Sequence, residues 1–166
     1  MILNRSELNY LQAGDIIFQS RIGHIVSYGF IQDSNMSLVT GQVSVLALHH
    51  QKTVTFKQYD FNATQLTVEG RGGVHIDSHI KLGTSVGFLK ITFDEGNLTM
   101  NDFSALSAHG GDLILESKNR FFSSKTNFML LERKFILRIK KGEKYFYGLA
   151  LDKKLNLEDE IYQILI

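Results

Sequence analysis

Leu3-Asn-Arg-Ser-Glu-Leu-Asn-Tyr-Leu-Gln-Ala-Gly-Asp-Ile-Ile-Phe-Gln-Ser20 recurs without a gap as Met100-Asn-Asp-Phe-Ser-Ala-Leu-Ser-Ala-His-Gly-Gly-Asp-Leu-Ile-Leu-Glu-Ser117. The offset between the two copies is constant at 97 residues in a chain of 166. The identical pairs are Asn4 and Asn101, Gly14 and Gly111, Asp15 and Asp112, Ile17 and Ile114, and Ser20 and Ser117. An internal repeat indicates that one small unit is used twice. This organisation favours assembly or binding over a single catalytic cleft.

The composition is that of a globular chain with nearly balanced charge. Hydrophobic residues make up 43% and the formal net charge is +1, so the balance calls for neither nucleic acid nor an anionic membrane as a partner. No apolar run approaches the roughly 20 residues that span a bilayer, and we expect no direct membrane insertion. The start of the chain lacks a secretory signal pattern, and the absence of Cys fits a reducing compartment. We therefore expect a cytoplasmic protein, with any membrane association coming only through partners.

Each copy of the repeat is predicted to open with a short helix and continue into a strand. Leu8 and Leu11 in the first copy, and Phe103 and Leu106 in the second, recur at the i, i+3 spacing of one helix face. A glycine then ends each predicted helix, because glycine readily adopts the left-handed conformation common at helix ends. The apolar residues that follow the Gly-Asp pair are typical of a buried strand.

The rest of the chain has short apolar runs separated by Asn, Asp, Gly and Ser, which predicts strands for most of its length. The final residues from Asn156 onward fit either a helix or a strand. We place a domain boundary near Gly83, with a first module over 1–83 and a second over 84–166. The predicted fold class is mainly β, built of two small modules that are packed together or intertwined.

The order of a Leu-x-x-Leu helix, a Gly-Asp-Ile/Leu-Ile turn and a run of strands is similar to the SpoA (surface presentation of antigens) domain. The matching residues are Leu8, Leu11 and Gly14 to Ile17 in the first copy, and Phe103, Leu106 and Gly111 to Ile114 in the second. The resemblance implies that each module is a short helix followed by antiparallel strands. The first copy lacks the leading strand of that family, so the chain is either a fragment or receives this strand from another segment or subunit.

Tandem SpoA domains occur in type III secretion sorting platforms and flagellar switch rings. The resemblance therefore implies a non-enzymatic scaffold component of such a cytoplasmic complex, acting through protein–protein interfaces. Its expected partners are the other subunits of the complex, and we also expect self-association.

The second copy also resembles a PilZ β-barrel, a regulatory module that often binds cyclic di-GMP. Asp102 and Ser104 match part of the ligand turn of that family, but Ser107 stands where the family has Gly. The upstream Arg-x-x-x-Arg pair is missing as well. This alternative therefore implies a degenerate nucleotide site and no bound cofactor.

No catalytic or metal-binding set stands out in the sequence. His75, Asp77 and His79 share one face if they lie in a strand, but the two imidazoles would then be about 13 Å apart at roughly 3.3 Å per residue, too far for one ion. A Cys nucleophile is excluded by composition, and neither a Gly-x-Ser-x-Gly elbow nor a phosphate-binding loop is present. We predict that the protein is not an enzyme and binds neither cofactor nor metal.

Candidate interface residues lie in the C-terminal part of the chain. Adjacent aromatic residues in a strand point to opposite faces, so one core cannot bury all of them, and aromatic anchors are enriched at interfaces. A basic stretch nearby could meet an acidic partner. The candidates are Phe121, Phe122, Tyr145, Phe146, Tyr147 and Arg138.

Overall fold

A computed structural model gives the fold of the chain. It describes residues 1–8, 10–32, 38–101, 103–108 and 111–117 in full, together with the backbone of four later strands at 122–124, 128–130, 134–139 and 149–151. Strands dominate this part of the chain, and its one helix is a single turn. No helix within it is long and apolar enough to cross a membrane.

The strands follow one another in a repeating order that divides the chain into coils. The first coil holds β1 (Ile2–Leu3), α1 (Arg5–Leu8), β2 (Gln12–Ala13) and β3 (Ile16–Ser20). The second holds β4 (Ile25–Ser27), β5 (Phe30–Ile31), β6 (Leu38–Val39) and β7 (Gln42–Ala47). The third holds β8 (Val54–Phe56), β9 (Phe61–Ala63) and β10 (Gln65–Gly70). The fourth holds β11 (Val74–Ile76), β12 (Lys81–Thr84) and β13 (Leu89–Phe93), and the fifth holds β14 (Leu98–Met100), β15 (Ala105–Ala108) and β16 (Asp112–Ser117). The described backbone continues with β17 (Phe122–Ser124), β18 (Phe128–Leu130), β19 (Lys134–Ile139) and β20 (Leu149–Leu151).

Three sheets run along the stack of coils and form its faces. Face 1 has the order β1-β4-β8-β11-β14-β17, face 2 the order β5-β9-β12-β15, and face 3 the order β3-β7-β10-β13-β16-β19. Neighbouring strands within each face are parallel. Parallel neighbours need a crossover connection, and here the crossover is the path over the other two faces. The chain is therefore a parallel β-solenoid.

This architecture overturns the predicted fold class. The expected SpoA-like modules, each a short helix followed by antiparallel strands, are wrong because the strands pair in parallel from coil to coil. The alternative PilZ-like barrel is also wrong: a barrel closes its sheet, whereas face 3 has β3 at one edge and β19 at the other. Gly83, where we placed a domain boundary, lies inside β12, which pairs with β9 on one side and β15 on the other.

The repeat at offset 97 is explained by the coil register. Ile16 pairs with Val43, Val43 with Leu66, Leu66 with Leu89, and Leu89 with Leu113. Ile16 and Leu113 thus occupy the same column, four coils apart. The two sequence copies are therefore the first and fifth coils of one stack. They resemble each other because equivalent positions in stacked coils have similar structural surroundings.

One of the two predicted helices is absent. In the first copy a helix does form, as α1, and Leu8 is buried. In the second copy the residues expected to be helical include β15 (Ala105–Ala108), which pairs with β12. The i, i+3 spacing of Phe103 and Leu106 comes instead from a turn residue followed by a strand residue that points into the core.

The core is a set of apolar columns between the three faces. On face 3, Val45, Val68, Ile91 and Leu115 stack and are at most 1% exposed. Two aromatic contacts have ring centroids 5.2 Å apart: Phe30–Phe61 joins the second and third coils, and Phe56–Phe61 lies within the third coil. Every other strand residue points inward, so each coil adds one apolar layer to the core.

Candidate functional site

The corner between faces 1 and 2 has an unusual backbone. Gln58, His79 and Phe103 all have positive φ angles, of 67°, 65° and 59°. Each lies three residues before a member of the column Phe61, Leu82 and Leu106. The left-handed residue is therefore a feature of the corner that recurs in consecutive coils. We call Gln58, His79 and Phe103 the corner strip.

The corner strip holds an exposed aromatic residue, Phe103, in a left-handed backbone conformation. Phe103 is 77% exposed, and its ring stacks on that of His79 with centroids 5.1 Å apart and an interplanar angle of 28°. The left-handed conformation costs a residue with a side chain about 1–2 kcal/mol, and for a bulky residue it is a true outlier. Backbone strain of this kind concentrates at functional positions. The strip is thus the first candidate interaction surface.

A groove lies at the same corner, beside the first three coils. Its volume is about 480 Å³, within the range of about 300–1,000 Å³ typical of ligand pockets. The Arg5 guanidinium lies over the Tyr59 ring, with Cζ 5.0 Å from the ring centroid. The lining residues, which we call the corner groove, are Asn4, Arg5, Ser6, Tyr28, Gln58 and Tyr59.

Backbone contacts fix the walls of the corner groove. The Tyr28 amide donates to the Leu3 carbonyl at 2.9 Å, which ties the second coil to the first. Gly29 has φ of 101°, and a Cβ built on it would lie 2.6 Å from the Tyr59 Cβ. Glycine at position 29 therefore lets Tyr59 pack directly against the backbone of the coil below. The Asn4 carbonyl accepts from the Leu8 amide at 3.1 Å and so starts the helical turn that carries Arg5.

A second polar cluster joins the turns between faces 3 and 1. Glu95 accepts hydrogen bonds from the His50 ring and from the Gln51 amide, the latter at 3.0 Å. These bonds, first that from His50, lower the pKa of the Glu95 carboxyl below its ordinary value of 4.5. In the turn between them, the Arg71 carbonyl accepts from the Glu95 amide at 2.7 Å. The cluster clamps three successive turns together, which is a structural role.

The histidines singled out in the sequence do not share a site. His75 lies in β11, whereas His79 lies beyond its end in the left-handed corner. Burial lowers the pKa of His75, and His24 acts in the same direction while Asp77 opposes it. The His24 Nδ1 accepts from the Thr53 amide at 3.0 Å. Within the described ranges, no group of three or more His, Asp or Glu side chains is placed to hold a metal ion.

The predicted interface residues cannot be placed in this surface. Phe121, Tyr145, Phe146 and Tyr147 lie outside the described residues. Phe122 begins β17 and Arg138 lies in β19, where the backbone alone is described. Ser104 and Ser107, which the PilZ comparison would place at a ligand turn, are both buried, and the Ser104 hydroxyl donates to the Asn101 carbonyl at 2.6 Å.

Sequence reasoning missed the corner groove and the corner strip. Arg5 and Tyr59 are 54 positions apart in the sequence and meet only through coil stacking. Phe103, predicted to lie on one face of a helix with Leu106, lies instead in an exposed left-handed turn. One local signal was Asp60, because Asp is enriched in turns. No protein-family model, curated protein or solved structure matches the chain.

Proposed function

We propose that this chain is a non-enzymatic scaffold protein that self-associates through its corner strip. The observation that carries the proposal is the exposed, stacked pair of His79 and Phe103 in strained backbone. Burial of the Phe103 ring against a protein surface would offset the energetic cost of its left-handed backbone. Aromatic residues are enriched at interfaces and often supply most of the binding energy.

A second copy of the chain is the partner that the strip fits best. In a twofold dimer the same patch is used by both copies, so Phe103 of one copy would lie against His79 of the other. The His79 and Phe103 rings are adjacent along the stack. A twofold rotation reverses their order, so each ring of one copy can face the other ring of the second copy. The formal net charge of +1 supplies little repulsion between copies.

The wider assembly is a separate proposal. The SpoA fold that suggested a type III secretion sorting platform or a flagellar switch ring is wrong, so that role loses its structural argument and stays a prediction. Other subunits of a cytoplasmic complex remain the proposed partners beyond self-association. Cytoplasmic location is proposed because a chain without Cys fits a reducing compartment.

Sedimentation velocity on the full chain over a broad concentration range tests the proposal. We expect a reversible dimer whose dissociation constant rises at least about tenfold in Phe103→Ser, the loss of about 1.4 kcal/mol. Val86→Ser is the matched control, because Val86 is 64% exposed but lies at the corner between faces 2 and 3. A chain that stays monomeric throughout would contradict the proposal, as would a dimer that Phe103→Ser leaves unchanged.

A further inference from the structure

We infer that the corner groove binds an acidic saccharide. The corner groove adjoins the corner strip and shares Gln58 with it, but the argument for a saccharide rests on the groove alone. Its lining combines three features: one cationic side chain, two tyrosine rings, and three uncharged polar side chains. None of the six lining residues is acidic.

Arg5 is positioned to receive a carboxylate. Its guanidinium carbon lies over the Tyr59 ring, 5.0 Å from the centroid, and a guanidinium carries five N–H donors at the edge of its plane. Within the described part of the chain, Arg5 forms no ion pair. A guanidinium binds a carboxylate through two parallel hydrogen bonds, and contact with an aromatic face holds the plane in one orientation. The charge in the groove thus calls for a single anionic group.

The tyrosine rings supply the surface for a sugar ring. Tyr59 is 45% exposed, so a large part of its ring remains available to a ligand. Tyr28 is half-buried beside it, with its backbone held by Leu3. One face of a pyranose ring carries mostly C–H bonds, which pack well against an aromatic face, while its hydroxyl groups point outward to polar partners.

The uncharged polar residues match the outward hydroxyl groups. Asn4 and Gln58 each offer a carbonyl and an amino group, and Ser6 offers a hydroxyl, so the three together can both donate and accept. Asn4 and Ser6 flank Arg5 in the chain, whereas Gln58 adjoins Tyr59. A nucleotide with several phosphate charges fits less well, because the lining holds one cation. A uronate or sialate unit has one carboxylate, which matches the single cation of the groove, and several hydroxyls, which match its uncharged polar side chains.

The surroundings make the groove a fixed feature of the fold. Gly29 is needed for Tyr59 to lie where it does, since any side chain there would collide with the Tyr59 Cβ. Gln58 keeps its place through a left-handed backbone with φ of 67°. Preformed sites of this kind bind without a large ordering cost.

Isothermal titration of the full chain tests the inference with two matched ligand pairs. Sialyllactose is compared with lactose, and a hyaluronan tetrasaccharide with the neutral chitin tetrasaccharide. We expect at least one acidic member to bind saturably, at least tenfold more tightly than its neutral counterpart, with an affinity that falls as salt rises. Arg5→Gln and Tyr59→Ala should each weaken that binding at least tenfold.

Two variants outside the groove serve as controls. Arg21→Gln and Tyr10→Ala alter exposed residues of the same types in the first part of the chain, and both should bind as the wild type does. Circular dichroism melts establish that all four variants fold. Lack of binding by both acidic ligands would overturn the inference, and so would equal binding of the neutral ligands or an undiminished affinity in Arg5→Gln. Tighter binding of adenosine monophosphate than of either saccharide would assign the groove to a nucleotide instead.

Discussion

Gly111 lies directly against Gly87 of the preceding coil: a Cβ built on Gly111 would be 2.2 Å from the Gly87 carbonyl carbon. Gly14 occupies the equivalent position four coils earlier, and a Cβ on it would have nothing within 4 Å. The glycine shared by the two sequence copies therefore has different structural consequences in each. In the fifth coil it lets two backbones touch, whereas in the first coil the described residues place nothing below it.

Replacement of these two glycines by alanine should give different stabilities. Gly111→Ala forces a methyl group into backbone atoms that have no room to move, and we expect a loss of about 1–3 kcal/mol in the free energy of unfolding. Gly14→Ala should leave that free energy unchanged or raise it slightly, because alanine restricts the unfolded chain. Urea denaturation of both variants checks the difference. Equal losses would mean that the coils do not stack as described.

Relief of strain at the corner strip should stabilise the protein. Phe103→Gly removes the cost of a left-handed bulky residue, about 1–2 kcal/mol, against an entropy cost of about 0.5–1 kcal/mol for glycine. We expect a net gain of up to about 1.5 kcal/mol, while Val86→Gly should lose stability. The same Phe103→Gly variant should self-associate less well than the wild type. A variant that is both more stable and less associated would separate the interface role of Phe103 from its structural role.

Glu95 should make stability depend on acidity. Because its pKa is lowered in the folded protein, the ionised carboxylate favours folding at pH values above its ordinary pKa of 4.5, and this contribution is lost as the pH falls through the lowered value. Glu95→Gln should melt at a lower temperature than the wild type at neutral pH, with the difference shrinking below pH 4.5. The matched substitution Glu7→Gln alters an exposed carboxylate in α1. Glu7→Gln should not show a melting-temperature difference that shrinks below pH 4.5. A difference between Glu95→Gln and the wild type that is the same at all pH values would contradict the assignment.

His75 should make the stability of the fold depend on pH in a higher pH range than Glu95 does. Burial lowers its pKa, so the folded protein favours the neutral ring, and stability should decline as the pH falls below the ordinary value of 6.5. Thr55 and Thr99 flank His75 in the adjacent coils, which makes threonine a suitable replacement. His75→Thr should therefore reduce the loss of stability between neutral and mildly acidic pH. His49→Thr, at an exposed turn position, should keep the wild-type response in the same thermal melts.

The sequence predicted the mainly β content and the positions of many strands, because apolar alternation depends only on which face of a strand is buried. It did not predict the pairing direction, since parallel and antiparallel strands show the same alternation. The repeat was detected between Gly14 and Gly111, but the coils between them share too few identities to reveal the shorter period. Gly41 and Gly87 stand at the same position in the second and fourth coils and Thr64 in the third, but the spacing along the chain between these positions is unequal, so the shorter period was missed.

The candidate site was harder to predict than the fold. Arg5 and Tyr59 come together only because β1, β4 and β8 are stacked on face 1. The left-handed positions at His79 and Phe103 carry neither glycine nor asparagine, and although His is enriched in this conformation, Phe is not. Local sequence therefore held little information about either the corner groove or the corner strip.

Distances along one column of face 3 test the solenoid most directly. The chain has no Cys, so spin labels can be attached at single introduced cysteines, with Ile17 paired first with Lys90 and then with Ile114. These positions are joined in register through Ser44 and Thr67. At roughly 4.8 Å per coil, the Cα separations should be about 14 Å over three coils and about 19 Å over four. Pulsed electron paramagnetic resonance should show the second pair farther apart by about one strand spacing. Equal distances, or a second pair closer than the first, would contradict a continuous parallel stack.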